Sequence, residues 1–217
     1  PRILMKRFPL YILLASSLFL TSCEKDLNQF PSGSLNSEES VTSLGDLTKA
    51  VRGLYSRLNT RYGYSGEIAL YGDAHGGDAK IVIASYNHST SIHRFLTEQT
   101  SDISAGAYGA FSILSGRVND ILQYVDRVEK VTPAGEKAEV ANQVGQLYAL
   151  RGLAHLELAR IFSYLPTTGV NPDAAYSGIP LNNEVRPVGY AYQRSTLRET
   201  YAQIISDLTK SLEGLSK

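Results

Sequence analysis

The chain has 217 residues, 21 Lys+Arg against 21 Asp+Glu, 43% hydrophobic residues, one Cys and no Trp. That apolar fraction suffices for a packed core and excludes wholesale disorder, while a lone cysteine excludes a disulfide scaffold. Zero net charge without a basic run argues against a nucleic-acid partner.

The first 22 residues read as an address. Met5, the only methionine, reads as the start, with Pro1 to Leu4 as upstream read-through. Lys6 and Arg7 are followed by an apolar run from Phe8 to Leu20, interrupted by Pro9, Ser16 and Ser17. About thirteen residues fall short of the roughly 20 that span a hydrocarbon core, so the pattern fits a secretory signal. Leu20-Thr21-Ser22-Cys23 then resembles a bacterial lipobox, with an aliphatic and two small residues before the cysteine. The expectation is cleavage after Ser22 and diacylglyceryl and palmitate-type acylation of Cys23, because two or three acyl chains anchor stably. Removing residues 1–22 takes Arg2, Lys6 and Arg7 and no acid, leaving 18 positive against 21 negative charges, a formal −3. Residues 23–43 form a polar tether with Pro31 and Gly33. Its Glu24, Lys25 and Asp26 resemble a lipoprotein surface-export signal.

Helical periodicity begins next. Leu44, Leu47, Val51, Leu54, Tyr55 and Leu58 recur on one helix face, with Ser43 and Asp46 as a cap. Tyr62 to about Thr100 reads as loop-rich, with turn chemistry at Tyr62 to Gly66 and at Gly72 to Asp78. Ile81-Val82-Ile83 fits a short strand or a buried helical turn equally well. A second helix carries Ile103, Ala107, Phe111, Leu114, Val118, Ile121, Val125 and Val128, and stops at Thr132-Pro133-Ala134-Gly135. A third runs from about Glu136 to Tyr164, with Val140, Val144, Leu147, Ala154, Leu158 and Ile161 inward. The short connection makes the second and third antiparallel neighbours. Leu165 to Arg194 holds four prolines and reads as an extended loop. Thr196 and Glu199 form a capping-box pattern before a fourth helix with Leu197, Tyr201, Ile204, Leu208 and Leu212 as its stripe. The expected fold is all-α, an irregular tetratricopeptide-like helical repeat (α-solenoid) with long loops, although no repeat of roughly 34 residues stands out.

A series of segments in order carries a resemblance. Gly53-Leu54-Tyr55 follows the lipobox and tether; then come Tyr108-Gly109-Ala110-Phe111 and Arg117-Val118-Asn119-Asp120-Ile121-Leu122. Leu147-Tyr148-Ala149-Leu150-Arg151-Gly152-Leu153-Ala154-His155 precedes Leu158-Ala159-Arg160-Ile161-Phe162 and Gly178-Ile179-Pro180-Leu181. Arg194-Ser195-Thr196-Leu197, Glu199-Thr200-Tyr201 and Asp207-Leu208 close the series. This order resembles the amino-terminal half of the SusD/RagB family of outer-membrane nutrient-binding lipoproteins, over essentially all of residues 23–217. The resemblance implies three regions: signal 1–22, tether 23–43 and helical domain 44–217. Family members are commonly more than about twice as long, so the chain is expected to be a fragment, a truncated gene product or a domain used alone. Gly152 and His155 depart from the alanine and aromatic usual there.

Buried chemistry can be anticipated. Arg151 lies among apolar residues, where a guanidinium needs carbonyl or carboxylate partners. Asn119 can bond across a helix pair, and Gly152 and Ala154 permit close helix approach.

Catalytic patterns are sparse. Asp73-Ala74-His75-Gly76-Gly77-Asp78 mixes metal-ligand types on a Gly-rich stretch, but reads first as a solvated turn. His88 and His93 are five apart and do not share a helix face. The chain has no GxSxG elbow, Walker loop or HExxH. No cofactor, metal or enzyme activity is expected. Without Trp, a sugar platform has to come from other aromatics, and the chain has 14 Tyr. The family resemblance places amino-terminal glycan contacts on the loops after the first helix. The matching ligand candidates are Tyr71, Tyr86, Asn87, His88 and Arg94, where Tyr supplies a stacking face and the others hydrogen bonds.

The resemblance therefore implies a non-catalytic outer-membrane protein, lipid-anchored and facing the exterior. It implies oligosaccharide capture and delivery to a SusC-like TonB-dependent transporter. A RagB-like peptide cargo is the alternative within the family. A lipid-anchored surface hydrolase would need a nucleophile or metal triad that the sequence does not display.

Overall fold

Ser43 opens the first helix by accepting from Asp46 N–H at 3.2 Å, while its hydroxyl donates to the Asp46 carboxylate at 2.8 Å. The computed structural model describes residues 40–79 and 90–215. Its helices are α1 (Leu44–Leu58), α2 (Glu67–Gly76), α3 (Thr90–His93), α4 (Asp102–Leu122), α5 (Val125–Val131), α6 (Lys137–Phe162) and α7 (Leu197–Gly214). The only extended pairing among the described residues is an isolated antiparallel bridge, Pro180 to Arg194. The fold is all-α, as the periodicity predicts, and all of these elements lie within one unit, Ser37–Lys217. No described helix is long and apolar enough to cross a membrane.

The core is assembled around α6. Its Leu147, Leu150, Ala154 and Leu158 meet Phe111, Leu114 and Val118 of α4 and Leu47, Val51 and Leu54 of α1. All ten are buried. Each large apolar side chain removed from water contributes about 1.5–3 kcal/mol.

Three elements differ from the sequence reading. The stretch read as loop-rich contains α2, which starts after Gly66 and ends at Gly77 in the left-handed region, φ 85°. Gly72, Gly76 and Gly77 give that segment turn composition, but Ile68 and Ala74 bury one side of it and hold it helical. The second helix breaks at Gln123-Tyr124 into α4 and α5. Tyr124 N–H there reaches Ile121 C=O at 3.0 Å, a tightened turn. Val128 remains fully buried beyond the break, which is why the apolar pattern runs through it.

The third difference concerns α7. Its capping box is present: Thr196 Oγ1 accepts from Glu199 N–H at 3.2 Å, and Glu199 Oε2 accepts from Thr196 N–H at 2.8 Å. Yet the residues it buries are Leu197, Thr200, Ile204, Asp207 and Ser211. Leu212 is 75% exposed and Leu208 39%, although both belong to the anticipated stripe. Tyr55 of α1 is likewise exposed instead of inward. The polar face of α7 packs because α6 offers Gly145 and Gly152. A Cβ at Gly145 would lie 2.9 Å from Ser211 O and Leu215 N, so the backbones nearly touch there.

Buried polarity fixes the register of this crossing. Arg151 grips Asp207 with two parallel bonds, Nε to Oδ2 at 2.8 Å and Nη2 to Oδ1 at 2.6 Å. Its Nη1 donates to Asn119 Oδ1 at 2.7 Å and to the Asn183 carbonyl at 2.9 Å. Asn119 in turn donates to Asn182 O at 3.0 Å. One guanidinium thus ties α4, α6, α7 and the 182–183 loop together. His155 sits beside it, fully buried, accepting from Asn182 N–H at 3.3 Å. Burial, then the nearby Arg151 charge, outweigh the pull of Asp207 and push the imidazole down to about 4.

Candidate ligand cleft

The turn predicted at Tyr62 to Gly66 is present, and it is fastened to α6. Tyr64 Oη donates to the buried Glu157 carboxylate at 2.7 Å, and Arg160 Nη1 holds the same oxygen at 2.9 Å. Burial, then the Glu157 carboxylate, raise the Tyr64 phenol above its usual range. This anchor ties the turn that precedes α2 to the last turns of α6.

Between them lies a cleft of about 730 Å³. Ile68 and Tyr71 of α2 form one wall, and Tyr108 of α4 with Ile161 and Phe162 of α6 form the other. Thr97, Glu98 and Gln99 line the rim, while Pro180 and Arg194 close one end. Tyr108 meets Phe162 edge-on, centroids 5.6 Å apart at 85°. Tyr108 is 40% exposed, so its ring serves both the packing and the open space.

The rim is held by backbone acceptors. Ser101 Oγ and Ser104 Oγ both donate to the Glu98 carbonyl, at 2.7 and 2.8 Å. That pins the turn and leaves the Glu98 carboxylate and Gln99 amide on exposed residues. Arg194 is committed structurally: Nε donates to Gly178 O at 2.9 Å and Nη2 donates to Phe162 O. Beside the cleft, Tyr71 tilts onto His75 at 4.3 Å, and His75 stacks on Phe95 at 4.7 Å and 12°.

The ligand candidates read from sequence divide cleanly. Tyr71 lines the cleft, half-buried on α2. Arg94 is exposed on the segment that leads to the rim. Tyr86, Asn87 and His88 lie outside the described residues, as do Ile81-Val82-Ile83 and the lipobox Leu20, Thr21, Ser22 and Cys23. Among the described residues no group of three or more His, Cys, Asp or Glu could hold a metal. His75, read as a ligand type on a turn, is instead a ring within an aromatic stack.

Sequence reasoning missed Phe95, Phe162 and the outward role of Tyr108. Tyr108 falls off the Ile103-Ala107-Phe111 stripe, and an aromatic off a buried stripe was the available signal. Such a cleft can take a ligand with flat apolar faces and hydroxyl edges: rings on the walls, an amide and a carboxylate on the rim.

The described residues form a helical scaffold with an open cleft walled by aromatic side chains. Residues 35–217 match the SusD-like family described as "Starch-binding associating with outer membrane". The chain belongs to that family. It is similar, at 28% identity and a TM-score of 0.70, to a candidate sugar binding protein from Bacteroides vulgatus, over 82% of this chain and 38% of that one. Two SusD superfamily proteins share the fold. One, from Bacteroides thetaiotaomicron, has 19% identity and a TM-score of 0.68 over 80% of this chain and 38% of its own. The other, from Bacteroides vulgatus, has 21% identity and a TM-score of 0.70 over 82% of this chain and 38% of its own. The chain thus spans 38% of the length of each of these relatives. No curated protein matches it.

Proposed function

We propose that the protein is a non-catalytic, surface-exposed outer-membrane lipoprotein that captures oligosaccharide in the cleft between α2 and α6. It would pass that cargo to a SusC-like TonB-dependent transporter. The family match over residues 35–217 is the observation that carries this reading. The cleft supports it chemically, since Tyr71, Tyr108 and Phe162 offer apolar ring faces and Glu98 and Gln99 offer partners for hydroxyls. In this reading residues 1–22 are the signal, Cys23 carries the acyl chains, 23–43 is the tether and 44–217 is the binding domain.

Calorimetric titration of the full chain with soluble oligosaccharides tests the ligand. Binding should weaken about tenfold in Tyr108→Ala, the loss of one aromatic contact of about 1.4 kcal/mol. Binding of a peptide pool and of no oligosaccharide would move the cargo to peptide. Cys23→Ala should shift the protein from the membrane to the soluble fraction, and retention at the membrane would overturn the anchor.

A further inference from the structure

The last carbonyls of a helix find no helical N–H and need donors from elsewhere. At the end of α6 Arg194 supplies one: its Nη2 donates to the carbonyl of Phe162, the last helical residue. A cation there also suits the negative end of the helix dipole. Its Nε donates to Gly178 O at 2.9 Å. The backbone behind the side chain is fixed too. Ser195 N–H donates to Ile179 O and Gly178 N–H to Ser195 O, both at 2.9 Å, around the Pro180 to Arg194 bridge. Ile179 is fully buried and holds that bridge to the core. Swinging the Arg194 side chain aside would strip two carbonyls of their donor.

This fixed side chain stands between two hollows. The cleft ends on it and on Pro180. A second hollow, of about 380 Å³, is lined by Ser163, Tyr164 and Tyr176 and shares Ile161, Phe162 and Arg194 with the cleft. A ligand lying along the cleft therefore meets a wall at this end. At about 730 Å³ the cleft has the size of a small-molecule site, room for a few sugar rings. Arg194 Nη1 has no hydrogen-bond partner among the described residues, so it keeps its donors for whatever stops against it.

We propose that Arg194 is the stop of the cleft and makes it a site for chain ends. The cargo is then a short oligosaccharide whose last residue abuts the guanidinium, not the middle of a polysaccharide. This deepens the glycan reading and rests on it. A terminal residue keeps a hydroxyl that an internal one spends on a glycosidic bond. Nη1 can donate to that hydroxyl oxygen, whereas an internal residue would drive its next ring into Pro180 and Arg194. A site that bonds a hydroxyl discriminates strongly against a ligand lacking it.

The test titrates the full chain with maltohexaose, cellohexaose, xylohexaose and mannohexaose. Each oligosaccharide that binds is then compared, per sugar residue, with its parent polysaccharide. α-Cyclodextrin, the same glucose chain closed on itself, joins the maltohexaose series. The expected result is binding at least about tenfold weaker for the polysaccharide, and for α-cyclodextrin against maltohexaose. Equal affinity per residue would overturn the chain-end site and leave oligosaccharide capture standing. A chain that binds none of the oligosaccharides would overturn the glycan reading and the stop with it. In Arg194→Ala the gap should narrow to within about threefold. An unchanged gap in a variant that melts like the parent would overturn Arg194 as the stop. If Arg194→Ala melts early, the ratio measured on the parent chain decides.

Discussion

The Arg151 crossing and the Phe95 stack solve opposite problems. At Arg151 a charge is driven inward and then satisfied: Asp207, Asn119 and Asn183 account for the guanidinium. At Phe95 an apolar ring is driven outward, on a backbone that resists it, with one face uncovered. The first arrangement fixes one packing of α4, α6 and α7. The second leaves an apolar ring in solvent, two residues from the cleft lining at Thr97. The contrast divides a buried polar crossing from an exposed aromatic stack.

The sharpest way to break that division is at the crossing. Asp207→Ala leaves a buried guanidinium without its carboxylate and should cost about 3–5 kcal/mol in urea unfolding. Tyr71→Ala in the cleft should change stability far less while weakening sugar binding.

Acid acts on the same region. The unfolded imidazole titrates near 6.5, whereas burial holds folded His155 down at about 4. Stability is therefore full above pH 6.5 and is lost as pH falls toward 4, by about 3 kcal/mol from this group. In His155→Phe that segment of the stability–pH curve should flatten, which chemical denaturation at stepped pH would show.

Smaller effects sharpen the picture of α7. Gly145→Leu, forced against the Ser211 carbonyl, should cost about 1–3 kcal/mol. Thr196→Ala removes the cap and should cost about 1 kcal/mol. Leu212→Lys should stay within about 0.5 kcal/mol of the parent, since that side chain lies in solvent. A large loss at Leu212 would mean that the anticipated stripe is the true core face.

These contrasts also show what the amino-acid sequence discloses. Period alone locates α1, α4 and α6, because apolar residues at steps of three and four recur along the face each buries. It misassigns α7, because a face of Thr200, Asp207 and Ser211 is buried by backbone proximity and by the needs of Arg151. The partners of Arg151 could be anticipated by type, as carboxylate and carbonyl, but not by number. The cleft was legible only at Tyr71. Phe95, Tyr108 and Phe162 come from separate segments, and neighbourhood across a fold leaves no periodic trace in the chain.

The most direct measurement is the crystal structure of the full chain soaked with maltoheptaose or with whichever oligosaccharide binds in titration. Sugar rings lying along Tyr71 and Tyr108, with hydroxyls reaching Glu98 or Gln99, are the predicted result. An empty cleft with sugar bound elsewhere on the surface would contradict it.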